Sequence, residues 1–166
     1  MAAEILGELL ITLGAEIATK FALAGPVREW KLDRFYNGMN DEQRSAFLDL
    51  VALAINADGA VSAIEQRWLE RRKEVNEDVA KAVDTAFERT KSGLPEGLSS
   101  PDATTYLSTR VAKFTDDDDR ERIYLALAVL LRPSGQADTL VKFRDALALS
   151  TTKAALIDAR IDSWVS

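Results

Sequence analysis

Hydrophobic residues recur three and four positions apart along most of this chain, the spacing that lines one face of an α-helix. Ile5, Leu9, Leu13, Ile17 and Phe21 fall four apart over residues 4–24, with Leu6 and Leu10 beside them. Gly25-Pro26 interrupts that run, and residues 26–37 predict a short second helix burying Val27, Trp30 and Phe35. Asn40, Asp41 and Glu42 open a third helix with cap-type residues and early acids, and Phe47, Leu50, Val51, Ala54 and Ile55 give it a wide apolar face. A fourth, Ser62 to Glu74, turns Ile64, Trp68 and Leu69 inward, and Val79, Val83 and Phe87 mark a fifth over 77–90.

Residues 92–103, SGLPEGLSSPDA, read as a loop dividing the chain into halves. Beyond it, residues 104–114 predict a helix burying Leu107, Val111 and Phe114. The acids Asp116 to Asp119 precede an apolar helix, Ile123 to Leu131, whose positive N-terminal dipole accounts for them. Arg132-Pro133-Ser134-Gly135 ends that helix, Asp138 caps the next, and Thr151–Trp164 form the last. The pattern predicts an all-α helical bundle of about 7–9 helices. Residues 1–38 form an N-terminal helical extension and 39–166 a helical domain packed as one unit.

The halves repeat one another. Setting Gly59 on Gly135 pairs Val51 with Leu127, Leu53 with Val129 and Ile55 with Leu131, and beyond the glycine Ser62 with Asp138 and Ile64 with Leu140. Each half then reads as helix, glycine turn, capped helix, an internal pseudo-two-fold repeat. The acids of the first turn are not repeated: Ser134 stands opposite Asp58, and Val141 opposite Glu65.

Composition narrows the chemistry. The chain of 166 residues has neither cysteine nor histidine, which removes disulfides, thiolate nucleophiles, the usual zinc sites and every histidine-based triad. A net charge of −6 argues against a nucleic-acid groove, which needs clustered Lys and Arg. Glu4, Glu8, Glu16 and Lys20 interrupt the apolar N-terminal run, against a transmembrane helix, and Glu4 in place of a basic residue argues against a secretory signal. This helix packs on the domain or on a second copy, forming a homodimer. Alternatively residues 1–36, with the basic stripe Arg28, Lys31 and Arg34, make a peripheral membrane contact.

The stretch Asn56 to Trp68 carries the most chemistry. Gly59 can take the left-handed conformation that closes a helix, and Ser62 with Glu65 three residues on has capping-box spacing, Glu65 reaching back to the Ser62 N–H. Asp58 lies at a helix C-terminus, where the dipole disfavours an anion by about 0.3–1 kcal/mol, so a partner must offset it. Read as an EF-hand, Asn56, Asp58, Gly59, Val61, Ser62 and Glu65 fall on loop positions, but the first ligand position falls on Ala54, inside the apolar run. Asp58 and Glu65 are instead candidates to share one weakly held divalent cation, calcium, magnesium or manganese.

VALAINADGAVSAIEQRWL (51–69) resembles the signature of the TerB-like, tellurite-resistance superfamily: an Ala/Leu-rich helix, Asp-Gly, a hydrophobe, Ser and Glu. DRERIYLALAVLLRPSGQADTLVKFRDALALS (119–150) resembles that family's second copy. The resemblance covers about residues 40–158. It implies an all-α domain of about seven helices with no enzyme activity, associated with stress or tellurite-resistance systems, often near membranes. It also implies a divalent-metal site on the acids that fall here at Asp58 and Glu65. The expected protein is a cytoplasmic accessory or interaction module that binds protein partners. The alternatives are a membrane-peripheral adaptor at the inner face of the membrane and an immunity-type helical binding protein.

Overall fold

The computed structural model describes residues 32–57 and 62–165, together with Leu9 and Leu13. The described residues form eight α-helices and no strand. In chain order these are α1 (Leu32–Gly38), α2 (Asp41–Ile55), α3 (Ala63–Arg71), α4 (Glu77–Gly93), α5 (Ala103–Val111), α6 (Asp117–Leu131), α7 (Ala137–Ala146) and α8 (Thr151–Val165). Short 3₁₀ turns at Arg72–Glu74 and Gly97–Ser99 supplement them. The all-α bundle read from the periodicity is therefore the fold.

Two helices form its centre. Every residue of α2 from Ala46 to Ile55 and every residue of α6 from Ile123 to Leu131 is buried. A helix that is apolar all round must be covered on all sides. Accordingly α4 and α5 pack on α2, α1, α7 and α8 pack on α6, and α2 and α6 touch. Both start at a side-chain N-cap. Asn40 accepts from the Gln43 N–H at 2.8 Å while the Gln43 side chain takes the Asn40 N–H at 3.1 Å, and Asp116 accepts from the Asp118 N–H at 2.8 Å.

α2 and α6 are each 15 residues long, and they begin and end at positions that the Gly59–Gly135 register pairs. The following helices depart from it. α7 is N-capped at Gln136 without a side-chain bond, so Asp138 lies in its first turn rather than at its cap.

Leu9 and Leu13 are both fully buried and belong to the same core as Phe47, Trp68 and Phe114. Arg67 of α3 donates to the Leu13 carbonyl at 2.9 Å. Phe35 and Tyr36 of α1 meet Phe47 edge-on, at 6.3 and 5.9 Å between centroids. The rest of the helix expected over residues 4–24, Val27, Trp30, Arg28, Lys31 and the side chain of Arg34 lie outside the described residues.

A polar clamp fastens α8 to α6. Arg132, just past α6, grips Asp162 through two parallel bonds of 2.9 and 2.5 Å and lies 3.4 Å from Asp158. Tyr124 donates to Asp158 at 2.8 Å; burial, then that bond, raises its hydroxyl pKa above the ordinary phenol range. The Arg132 hydrogen bonds hold the Asp162 carboxyl below its usual range. A carboxyl whose folded pKa is depressed stabilises the fold above its unfolded value and loses that contribution as pH falls through the folded one. Asp162→Asn should therefore lower the melting temperature at neutral pH by about 1–4 °C, the scale of a half-exposed ion pair. The deficit should close as the pH drops through the carboxylate range. A deficit that is the same at every pH would remove the ion pair as its cause.

Candidate functional site

The turn between α2 and α3 is flanked by Asn56 and Glu65, two of the buried polar residues. At its start Asn56 closes α2, its N–H bonding to the Ala52 carbonyl at 3.0 Å. At its end Ser62 caps α3, its hydroxyl accepting from the Glu65 N–H at 3.1 Å. Asp58, Gly59, Ala60 and Val61 lie outside the described residues, so the structure does not place Asp58 relative to Glu65.

Glu65 departs from the capping box. Ser62 makes its half, but the Glu65 side chain does not return to the Ser62 N–H. It turns to α4, where Lys91 Nζ lies 2.6 Å from Oε1. The residue is only 3% exposed, and a carboxylate that deep needs a cation more than a further backbone donor. Its second oxygen, Oε2, is buried with no hydrogen-bond donor among the described residues, and so is Oδ1 of Asn56, a residue 6% exposed. Buried oxygens of this kind are costly unless something donates to them or coordinates them.

The segment after α4 covers this corner. Leu94 and Leu98 are buried, and the Leu98 N–H bonds to the Ala57 carbonyl at 2.6 Å. Gly97, at φ +61°, lies against the Asn56 and Ala57 carbonyls. Residues 94–99 are thus a packed lid on the end of α2 rather than the open loop that their Gly, Pro and Ser content suggests.

Ser134, which the internal register sets opposite Asp58, donates its hydroxyl to the Leu130 and Leu131 carbonyls at 3.0 and 3.1 Å. An ionised carboxylate has no proton to give in such a bond.

A second polar cluster was not singled out by the sequence pattern. Asp49, buried in the middle of α2, accepts from Arg89 of α4 at 2.9 and 2.6 Å and from Arg110 of α5 at 3.2 Å. Arg110 also stacks over the Tyr106 ring at 3.5 Å. A lone acid inside the apolar run AFLDLVALAI was the available signal, because such a residue must be paired. The cluster pins three helices together; no titratable nucleophile-and-base pair is evident in it. Among the described residues no three Asp, Glu, His or Cys side chains converge as a metal site.

The chain matches no protein-family model, no curated protein and no solved structure at a significant level. The TerB-like resemblance therefore rests on the residue pattern around the two turns.

Proposed function

We propose that the chain is a non-enzymatic, TerB-like interaction module of a stress or tellurite-resistance response, cytoplasmic, built from two related halves, with the α2–α3 turn as its functional corner. In this reading the corner holds a divalent cation weakly. The observation that carries it is the pair of buried acceptors without donors among the described residues, Glu65 Oε2 and Asn56 Oδ1, flanking the turn that contains Asp58. Carboxylate and amide oxygens suit a hard ion such as calcium, magnesium or manganese. Lys91 already engages the other Glu65 oxygen, which keeps the affinity low. No described helix is long and apolar enough to cross a membrane. The membrane-peripheral alternative gains nothing from Leu9 and Leu13, the described positions of the N-terminal stripe, since both face inward.

Metal-dependent melting tests the corner. A ligand at about one hundred times its dissociation constant adds roughly 2.7 kcal/mol, or about 5–10 °C in a domain of this size. Wild type should show such a rise with millimolar calcium, magnesium or manganese. Asp58→Asn/Glu65→Gln should lose the rise while still folding, from a lower baseline because Lys91 loses its ion pair. Equal shifts in both proteins, or none in either, would leave Glu65 as the structural partner of Lys91 and remove the metal from the proposal.

A further inference from the structure

A cleft of about 400 Å³ lies between α1, α2 and α4, and three cations, Arg44, Lys81 and Arg89, line it with one acid, Asp41, in a protein whose net charge is −6. The geometry points to an anion site there, with the chemistry of a phosphomonoester.

The two arginines are held in place, and each of the three cations has a carboxylate within 4.0 Å, one of them shared with a fourth cation. Arg44 bonds backbone carbonyls, through Nε to Tyr36 at 3.1 Å and through Nη2 to Asn37 at 2.7 Å. Those neutral acceptors fix the guanidinium plane without cancelling its charge. The remaining nitrogen, Nη1, approaches only Asp41, at 3.7 Å, and that carboxylate is fully exposed. Arg89 is fixed by Asp49 and by the Ser45 carbonyl at 3.4 Å. Asp49 also serves Arg110, so one carboxylate answers two guanidiniums and a positive charge is left over. Lys81 reaches Glu77 at 3.5 Å, a pair exposed enough for water to screen it.

The charge left over by the sharing of Asp49, beside two guanidiniums held in place, favours an anion. Their planar forks fit tetrahedral oxyanions through paired N–H bonds, and their preset position lowers the entropy lost on binding. Ser45 and Thr85 line the same cleft with hydroxyl donors, while Leu48 and Tyr36 give it an apolar wall. That combination suits a phosphate on a small organic group better than a bare ion. This site is separate from the α2–α3 corner and does not depend on it.

Full-length protein should bind phenyl phosphate saturably in calorimetry at constant ionic strength, and more weakly as the pH falls below about 6, where the phosphate regains its second proton. Lys81→Glu should weaken binding roughly tenfold to a hundredfold, the effect of losing a charge-assisted contact. Lys81 is exposed and holds no core element, so this variant should melt like wild type. Arg44→Gln should weaken binding similarly, with some loss of stability from the Tyr36 and Asn37 bonds. Vesicles containing phosphatidic acid, set beside phosphatidylcholine vesicles, separate the two sources of the group. Retention that Lys81→Glu abolishes and phenyl phosphate competes away supports the same site reading a lipid phosphate. Binding of phenyl phosphate without retention supports a soluble ligand. The assignment is overturned by no saturable binding of either probe, or by binding that Lys81→Glu and Arg44→Gln leave unchanged.

Discussion

Trp68→Ala should destabilise the protein by about 3–5 kcal/mol, as expected for a large aromatic removed from a close-packed core. Trp68 is 0% exposed and heads the fully buried side chains by volume. Its ring nitrogen also donates to Asp84 at 3.2 Å, and Asp84 in turn receives Arg72, so the indole sits in the polar seam between α3 and α4. Chemical denaturation should register the loss as a lower midpoint, and heating as a fall of about 6–20 °C. Trp68→Phe keeps most of the ring volume and gives up one hydrogen bond and a small part of the packing, costing about 1–2 kcal/mol, so its difference from Trp68→Ala reads the packing. An alanine variant as stable as the phenylalanine one would mean that the indole volume is not part of the core.

Trp68 was legible because it lies four residues after Ile64, about 40° round the helix and on the same face. Leu69 was not, although it looks just as apolar. It lies about 140° from Ile64, and the structure leaves it exposed, correcting its inward reading. Hydrophobicity alone assigned it to the core where the angle did not. The helix framework was readable for the same periodic reason: Phe47, Val83, Phe87, Leu107 and Phe114 are all buried as the spacing requires.

The candidate site was readable only in part. Ser62 caps its helix as the short-range pattern predicts, because the cap is settled within four residues. Glu65 was assigned to the local capping box, but its partner is Lys91, 26 residues away, and no local pattern announces such a pairing. Asp49 meets Arg89 and Arg110 across 40 and 61 residues. Sequence can say that a buried acid needs a cation; which cation arrives depends on how α4 and α5 cross α2. The cleft at Arg44, Lys81 and Arg89 is a product of that same crossing, and no contiguous motif encodes it.

Gly97→Ala is the second large effect, and it should exceed what backbone strain alone explains. Gly97 has φ +61°, a conformation costing a side-chain-bearing residue about 1–2 kcal/mol. A Cβ there would also come within 2.8 Å of the Asn56 carbonyl oxygen and closer still to that of Ala57. Both obstacles are backbone, so no rotamer change relieves them. Residues 94–99 would have to lift from the end of α2, breaking the bond from Leu98 N–H to the Ala57 carbonyl and exposing part of Leu98. Strain, one hydrogen bond and a partly exposed leucine together give roughly 3–5 kcal/mol. Two other glycines supply the controls. Gly135 has φ +76° but open space around its Cβ position, so Gly135→Ala should show the strain alone, about 1–2 kcal/mol. Gly38 has open space and no positive φ, so Gly38→Ala should be close to neutral. The expected order of melting temperatures is Gly38→Ala above Gly135→Ala above Gly97→Ala. If Gly97→Ala and Gly135→Ala melted together, the lid would not press on α2 in solution, and the corner that holds Asn56 and Glu65 would lose its cover.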